Sequence, residues 1–263
     1  MTELGWRHAC ASAIGSSHVR TGVLCQDACR CQTISTSDQG ELIVAAAADG
    51  AGSAVKGEIG AKIACDTFTE MFRTFLSDDP VDKISSDHFR RWLDYFRSRI
   101  ELTLSAEPER SLRDYACTFI GAIASPELAL FCQIGDGAIV YSCRESTQDF
   151  ACAFLPSKGE YANETSFITD DSAFINEGFR RHTGVTHFAL LTDGLERLAL
   201  VLPAYTPFGP FFQGMFESLA ASKSLPQSDL DCALQNMLSS QEINERSDDD
   251  KTLVLASLHR RDR

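Results

Sequence analysis

Four acidic turns are spread along the chain, each against an apolar run, and they limit what it can fold into. Ala45–Gly52 reads AAAADGAG, Cys132–Ala138 reads CQIGDGA, and Ala189–Glu196 reads ALLTDGLE. In the fourth, Arg246–Thr252, the acidic triplet of RSDDDKT comes first and the apolar run TLVLASL follows. One Asp-Gly step is a common hairpin dipeptide. Four acidic turns in this arrangement predict carboxylates gathered at one edge of a β core. A hard-oxygen cluster without His or Cys suits Mg²⁺ or Mn²⁺ better than Zn²⁺.

The 263 residues, 44% hydrophobic, are enough to bury a large core. No Pro/Ser/Gly-rich linker, repeat or low-complexity tract divides them, so a single domain over residues 1–263 is expected. The opening residues lack the basic-then-apolar layout of a signal peptide, and no apolar run approaches a membrane span. A cytoplasmic protein without a membrane partner is the expectation. A net charge of −13 argues against extended nucleic-acid binding. None of the ten cysteines forms a paired CxxC zinc pattern. Reduced, buried thiols are the simpler reading. A redox-sensitive group stays open, because Cys25 and Cys29 flank Asp27 at strand spacing.

RHACASAIG, ACRCQTIST and ELIVAAAADG read as strands. Two helices follow, over about 54–76 and 86–105. Their stripes are Ile59, Ile63, Ala64, Thr67, Phe68, Met71, Phe72 and Phe75, then Phe89, Trp92, Leu93, Phe96, Ile100 and Leu104. Short apolar strands come next, ACTFIGAIA, ELALFCQIG, AIVYSC and FACAFL, then a polar stretch beginning GEYANET. THFALLTDG is a strand leading into a short helix at 195–200. Helices near 211–222 and 228–239 precede a last strand, KTLVLASL. This order opposes a Rossmann sheet and favours an α+β fold, two antiparallel sheets covered by helices. A pair of divalent ions at such an edge would acidify a shared water for in-line attack on phosphorus.

Taken together, the motifs resemble the metal-dependent serine/threonine protein phosphatases of type 2C, in their short bacterial branch. Gln26-Asp27 sits on the first motif and Asp49-Gly50-Ala51-Gly52 on DGxG. Gly135-Asp136-Gly137 corresponds to the central turn, Thr192-Asp193-Gly194 to the late DG, and Asp249-Asp250-Lys251-Thr252 to the terminal D-x-x-T. The resemblance implies a four-layer α-β-β-α sandwich that hydrolyses phosphoserine and phosphothreonine on proteins, opposing a kinase and acting as a monomer. It implies Asp49 bridging two metals, with Gly50 lending its backbone carbonyl. Asp193 and Asp249 would hold the first metal, Asp27 would bind or orient metal waters, and Asp136 would join Asp193 at a weaker third ion. Three departures matter. Gln26 stands where a metal-binding Glu is frequent, and Gly22 where many members carry a phosphate-binding Arg. Ala51 follows the first DG where eukaryotic members place His. Arg20 and His18 are substitute phosphate contacts. A catalytically silent phosphatase-like binding module is the alternative; a calcium-binding domain lacks the DxDxDG loop. Only 57 positions separate Asp136 from Asp193, little room for a flap subdomain.

Overall fold

The computed structural model describes residues 4–36, 38–154, 165–170, 178–222 and 224–260. In chain order the elements are β1 (Leu4–Ala13), α1 (Ser16–Thr21), β2 (Asp27–Thr36), β3 (Gly40–Asp49), α2 (Gly57–Asp78) and α3 (Ser86–Leu104). Then come β4 (Phe119–Ala124), β5 (Leu128–Ile134), β6 (Ala138–Cys143), β7 (Ser146–Cys152), β8 (Phe179–Thr183) and β9 (Val185–Leu191). Last are α4 (Glu196–Ala199), β10 (Leu200–Val201), β11 (Thr206–Pro207), α5 (Gly209–Ala221), α6 (Gln227–Leu238), α7 (Gln241–Asn244) and β12 (Lys251–Arg260). One five-stranded sheet runs β1-β12-β9-β6-β7, and the other β2-β3-β4-β5-β8. Every pairing within them is antiparallel.

The sequence of β3 shows why it lies inside. Alternate side chains on a strand point to opposite faces, and here both faces are apolar. Leu42, Val44, Ala46 and Ala48 pack under α2 and α3. Ile43, Ala45 and Ala47 face the other sheet, meeting a layer that includes Trp6, Phe188, Leu190 and Val254. The small alanines let the two sheets and the helix layer approach closely. On the far side, Phe212, Phe216 and Leu219 of α5 and Leu230, Leu234 and Leu238 of α6 cover Ala9, Ala11, Leu253 and Leu255. The layers are therefore helix, sheet, sheet, helix.

The helical stripe of α2 is rotated from the expected one. Ala61, Ala64, Cys65, Phe68, Phe72 and Leu76 are fully buried, whereas Ile59, Ile63, Met71 and Phe75 lie at its margin. Trp92 sets this rotation. Its indole packs on Phe119 at a 39° tilt with ring centres 4.1 Å apart, meets Phe68 edge-on at 5.3 Å, and donates a 3.2 Å hydrogen bond to Thr67 Oγ1. The expected helix at 195–200 is a 3₁₀ turn over Asp193–Leu195 followed by α4. α1 and β8 were not foreseen: both are short and polar, and no periodicity marks them. Cys25 precedes β2 rather than lying on it, so it does not share the strand face of Asp27 and Cys29. Most of the polar stretch that begins GEYANET lies outside the described residues. Among the described residues no helix is long and apolar enough to cross a membrane.

Phe68 is fully buried and contacts Phe72, Phe89, Trp92 and Phe119. Phe68→Ala leaves a cavity between helix layer and sheet, and it is expected to destabilise the fold by about 3–5 kcal/mol. Urea unfolding followed by tryptophan fluorescence measures this; a loss below about 1 kcal/mol would contradict the packing described.

Candidate active site

Strand register sends all five aspartates to one edge. Asp27 opens β2 directly opposite Asp49, the last residue of β3. The Thr118 amide donates to the Asp49 carbonyl at 2.8 Å, so β4 starts at this end, and β5 finishes here because Phe119 pairs with Ile134. Asp136 lies in the following turn. In the other sheet Ala138 pairs with Leu191 and Leu253 with Leu191, which brings the end of β9 and the start of β12 together. Asp193 and Asp249 flank that junction. A cleft of about 360 Å³ opens there, and Asp49, Asp136, Asp193, Asp249, His18 and Gln26 are among its lining residues.

Close backbone approach fixes two of the turns. A Cβ on Gly194 would lie 1.9 Å from the Asp250 carbonyl oxygen, so the turn carrying Asp193 is pressed on the β12 backbone. A Cβ on Gly50 would lie 2.4 Å from the Gly57 carbonyl carbon and 2.9 Å from the Gln26 carbonyl oxygen. Only glycine fits either place.

Asp27 sits beneath the cleft rather than in its lining. It is 8% exposed, and its Oδ2 accepts a 2.8 Å hydrogen bond from Thr192 Oγ1. Thr192 Oγ1 in turn accepts from the Thr252 amide at 3.0 Å. Asp27 Oδ1 is buried with no hydrogen-bond partner. Burial raises the carboxyl to a pKa of about 7, opposed by the neighbouring Thr252 and Thr192. Burial, then the charges of Asp27 and Asp193, push Asp49 to about 10. Asp193 rises to about 6, through burial and then the charges of Asp136 and Asp249. Asp136 Oδ2 accepts from Thr165 Oγ1 at 2.8 Å. Among the described residues no three His, Cys, Asp or Glu side chains are already drawn into a metal cage. The carboxylates ring the cleft, and mutual repulsion opposes drawing them closer without positive charge between them.

The three consecutive aspartates before β12 do different things. Asp248 is exposed and pairs with Arg20 at 3.4 Å, with both side chains largely in solvent. Arg20 is thereby placed outside the cleft lining, because residues two apart on a helix face different directions and His18 takes the inner one. Asp249 lines the cleft. Asp250 is 2% exposed and ties three segments together. Its Oδ1 accepts from the Gly15 amide at 2.6 Å, and its Oδ2 from the Gln26 amide at 2.6 Å and His18 Nδ1 at 2.9 Å. His18 is thus a helix residue fixed by a buried carboxylate, not a loose loop histidine. Lys251 is fully buried below them, donating to Asn244 Oδ1 and the Asp249 carbonyl, and burial lowers its pKa. The sequence reading placed Asp250, Lys251, Thr192 and Thr252 within motifs but gave them no role of their own. The signal available for the threonines is their position, each beside an acidic turn at a strand end. Asp170, an acid in a polar turn, caps the Phe167 amide at 2.8 Å outside the cleft lining.

With this geometry described, the chain matches the protein phosphatase 2C family over residues 14–239. It is 37% identical over 257 residues to serine/threonine-protein phosphatase 3 of Escherichia coli strain K12, covering 96% of this chain and 98% of that protein. The chain belongs to the protein phosphatase 2C family. Its fold is also similar to PppA, a regulatory component of the type VI secretion system in Pseudomonas aeruginosa, at 15% identity and a TM-score of 0.57, with 97% of this chain and 98% of that one covered. The catalytic domain of the serine/threonine protein phosphatase PstP, in complex with two manganese ions, aligns at 14% identity and a TM-score of 0.56, covering 97% and 99%.

The raised carboxyls carry a stability prediction. A carboxyl whose folded pKa exceeds its unfolded value binds protons more tightly when folded, so stability falls as pH rises from the unfolded value toward the folded one. Between pH 5 and 8, chelator-treated wild type should therefore lose melting temperature relative to Asp49→Asn, which lacks the repelling charge. Parallel melting curves for the two proteins over that range would refute the crowding.

Proposed function

We propose that this chain hydrolyses phosphoserine and phosphothreonine on proteins, using divalent cations held by its ring of aspartates. The observation that carries the reading is the convergence of Asp27, Asp49, Asp136, Asp193 and Asp249 on one edge from sequence-distant strands, in a chain of this family. The donor set fits hard cations. It is all oxygen, it carries crowded negative charge, and it leaves Asp27 Oδ1 buried without a donor. PstP carries two manganese ions, and two Mn²⁺ or Mg²⁺ with a weaker third is the count we assign here. The cations would supply the charge that makes a water acidic enough to attack phosphorus.

The chain's own residues have separable tasks in this reading. Asp49 would bridge the cations, and Gly50, which lines the same cleft, would lend its backbone carbonyl. Asp193 and Asp249 bind from the β9 and β12 ends, and Asp136 joins Asp193 from across the cleft. Asp27, fixed by Thr192, orients rather than faces substrate. His18 is held at Nδ1 by Asp250, leaving Nε2 as the ring nitrogen available to a phosphoryl oxygen. The substrate is a phosphorylated protein and the opposing activity a serine/threonine kinase. We further read the chain as one catalytic unit over 1–263 with little or no flap, working as a monomer. The silent-module alternative rests on Gln26 and Gly22; the named phosphatase at 37% identity favours the enzyme.

Asp193→Asn removes one anionic ligand without changing size. Hydrolysis of an aryl phosphate at saturating Mn²⁺ should fall by more than about 100-fold with circular dichroism unchanged. Near-normal turnover would refute the ligand assignment. Gln26 is buried, lines the cleft, and is anchored through its amide to Asp250. Gln26→Glu adds a charge there and should lower the Mn²⁺ concentration for half-maximal activity by about threefold to tenfold, repulsion from Asp27 and Asp49 limiting the gain. A higher Mn²⁺ requirement would show that position 26 does not face the cations.

A further inference from the structure

β1 and β2 are edge strands of opposite sheets, and they pack on each other along one side of the sandwich. Cys10 of β1 and Cys29 of β2 both pack on the core between the sheets, and across that seam each thiol is the leading influence on the other's acidity. Ser12 Oγ reaches the Cys29 sulfur at 3.6 Å and accepts a 2.7 Å hydrogen bond from Thr252 Oγ1. Thr252 leads through its amide and Thr192 to Asp27. Cys29 also lines a second opening of about 380 Å³, distinct from the acidic cleft, whereas Cys10 does not. All ten cysteines are free thiols.

Other pairings for Cys29 fit worse. Cys31 follows it on the same face of the same strand, about 6.6 Å along, too far for a bond that needs β-carbons about 3.8 Å apart. The Cys65 sulfur is held by the Ala28 carbonyl at 3.5 Å, on the helix-facing side of β2. The Cys25 sulfur lies 3.9 Å from the Asp27 carbonyl oxygen.

We propose that Cys10 and Cys29 are a reversible oxidation site, closed to an inter-sheet disulfide by a peroxide that enters through the opening beside Cys29. The Cys29 sulfur attacks a peroxide oxygen, the O–O bond breaks, and the thiol proton leaves with the departing oxygen as water. The resulting sulfenic acid is then attacked by the Cys10 sulfur. The S–O bond breaks, the hydroxyl leaves with the Cys10 proton as a second water, and the S–S bond forms. Two thiols have each lost one electron, and the peroxide has gained both. Bond formation sets the two sulfurs about 2.05 Å apart, drawing β1 toward β2. Cys29 loses its place against Ser12, which is tied to Thr252, and Asp27 lies two residues away on the same strand face. The link thus displaces a cation-binding carboxylate without touching the cleft, and its effect on turnover rests on the phosphatase reading above.

The test treats the full reduced chain with graded hydrogen peroxide, blocks free thiols, and maps cross-links by mass spectrometry without reduction. Aryl phosphate turnover at saturating Mn²⁺ is followed in parallel. A Cys10–Cys29 peptide should accumulate as turnover falls by about tenfold, and dithiothreitol should reverse both. In Cys10→Ser the cross-link should vanish and a dimedone adduct appear on Cys29. If that variant does not fold, the wild-type map decides. Cross-linking of Cys29 to another cysteine, failure of the pair to link, or a link that leaves turnover unchanged would each overturn the proposal. A reduced protein without phosphatase activity would instead sink the functional reading, and the cross-link map would still judge the thiol pair.

Discussion

The position of β12 governs the rest of the molecule. It lies between β1 and β9, pairing with β1 over ten residues from Leu4 opposite Arg260 to Ala13 opposite Lys251. One strand so placed fixes the height of two neighbours, because a slip of one residue would turn every core side chain outward. Ala9 and Ala11 face α5 and α6 together with Leu253 and Leu255 only in the observed register. The same register sets Asp249 at the mouth of the cleft and drives Asp250 into the backbone of the Gly15 and Gln26 segments. The acidic edge is therefore a by-product of apolar packing tens of ångströms of chain away, and it needs no local preference of its own.

That edge carries strain of an electrostatic kind. Like charges opposite one another across an antiparallel pair oppose folding, and Asp27 faces Asp49 in this way. The surrounding structure tolerates it because the opposition sits at the end of a strand whose interior is almost wholly apolar. Buried donors offset part of the load. Thr192 holds Asp27, two amides and His18 hold Asp250, and the fully buried Lys251 donates to the Asp249 carbonyl. A fold that gives up stability at one edge in order to concentrate charge there is the usual relation between function and stability.

The sequence shows the sandwich wherever one residue pattern has one structural meaning. The unbroken apolar run of β3 requires burial on both faces, and the aromatic stripes of α2 and α3 require a helix against something flat. The Asp-Gly steps mark turns, and the apolar runs beside them mark which ends of which strands meet. Other features depend on contacts that no local pattern encodes. The rotation of α2 is decided by where Trp92 finds Thr67. α1 is six residues long with no buried side chain, so it has no stripe to read, yet it determines that His18 and not Arg20 reaches the cleft. Three adjacent aspartates look interchangeable as text; the strand pleat and the neighbouring Gly15 turn give them solvent, cleft and core environments in turn.

The central place of β12 also has a consequence for synthesis. Strands β1, β6 and β9 leave the ribosome well before residues 249–258, and until those emerge β1 and β9 have no strand between them. The helix-covered sheet of β2 to β5, whose pairings join consecutive strands all upstream of β12, can close earlier. The growing chain thus passes through a stage in which one half is built and the other presents two unpaired strand edges, the kind of surface that folding helpers bind.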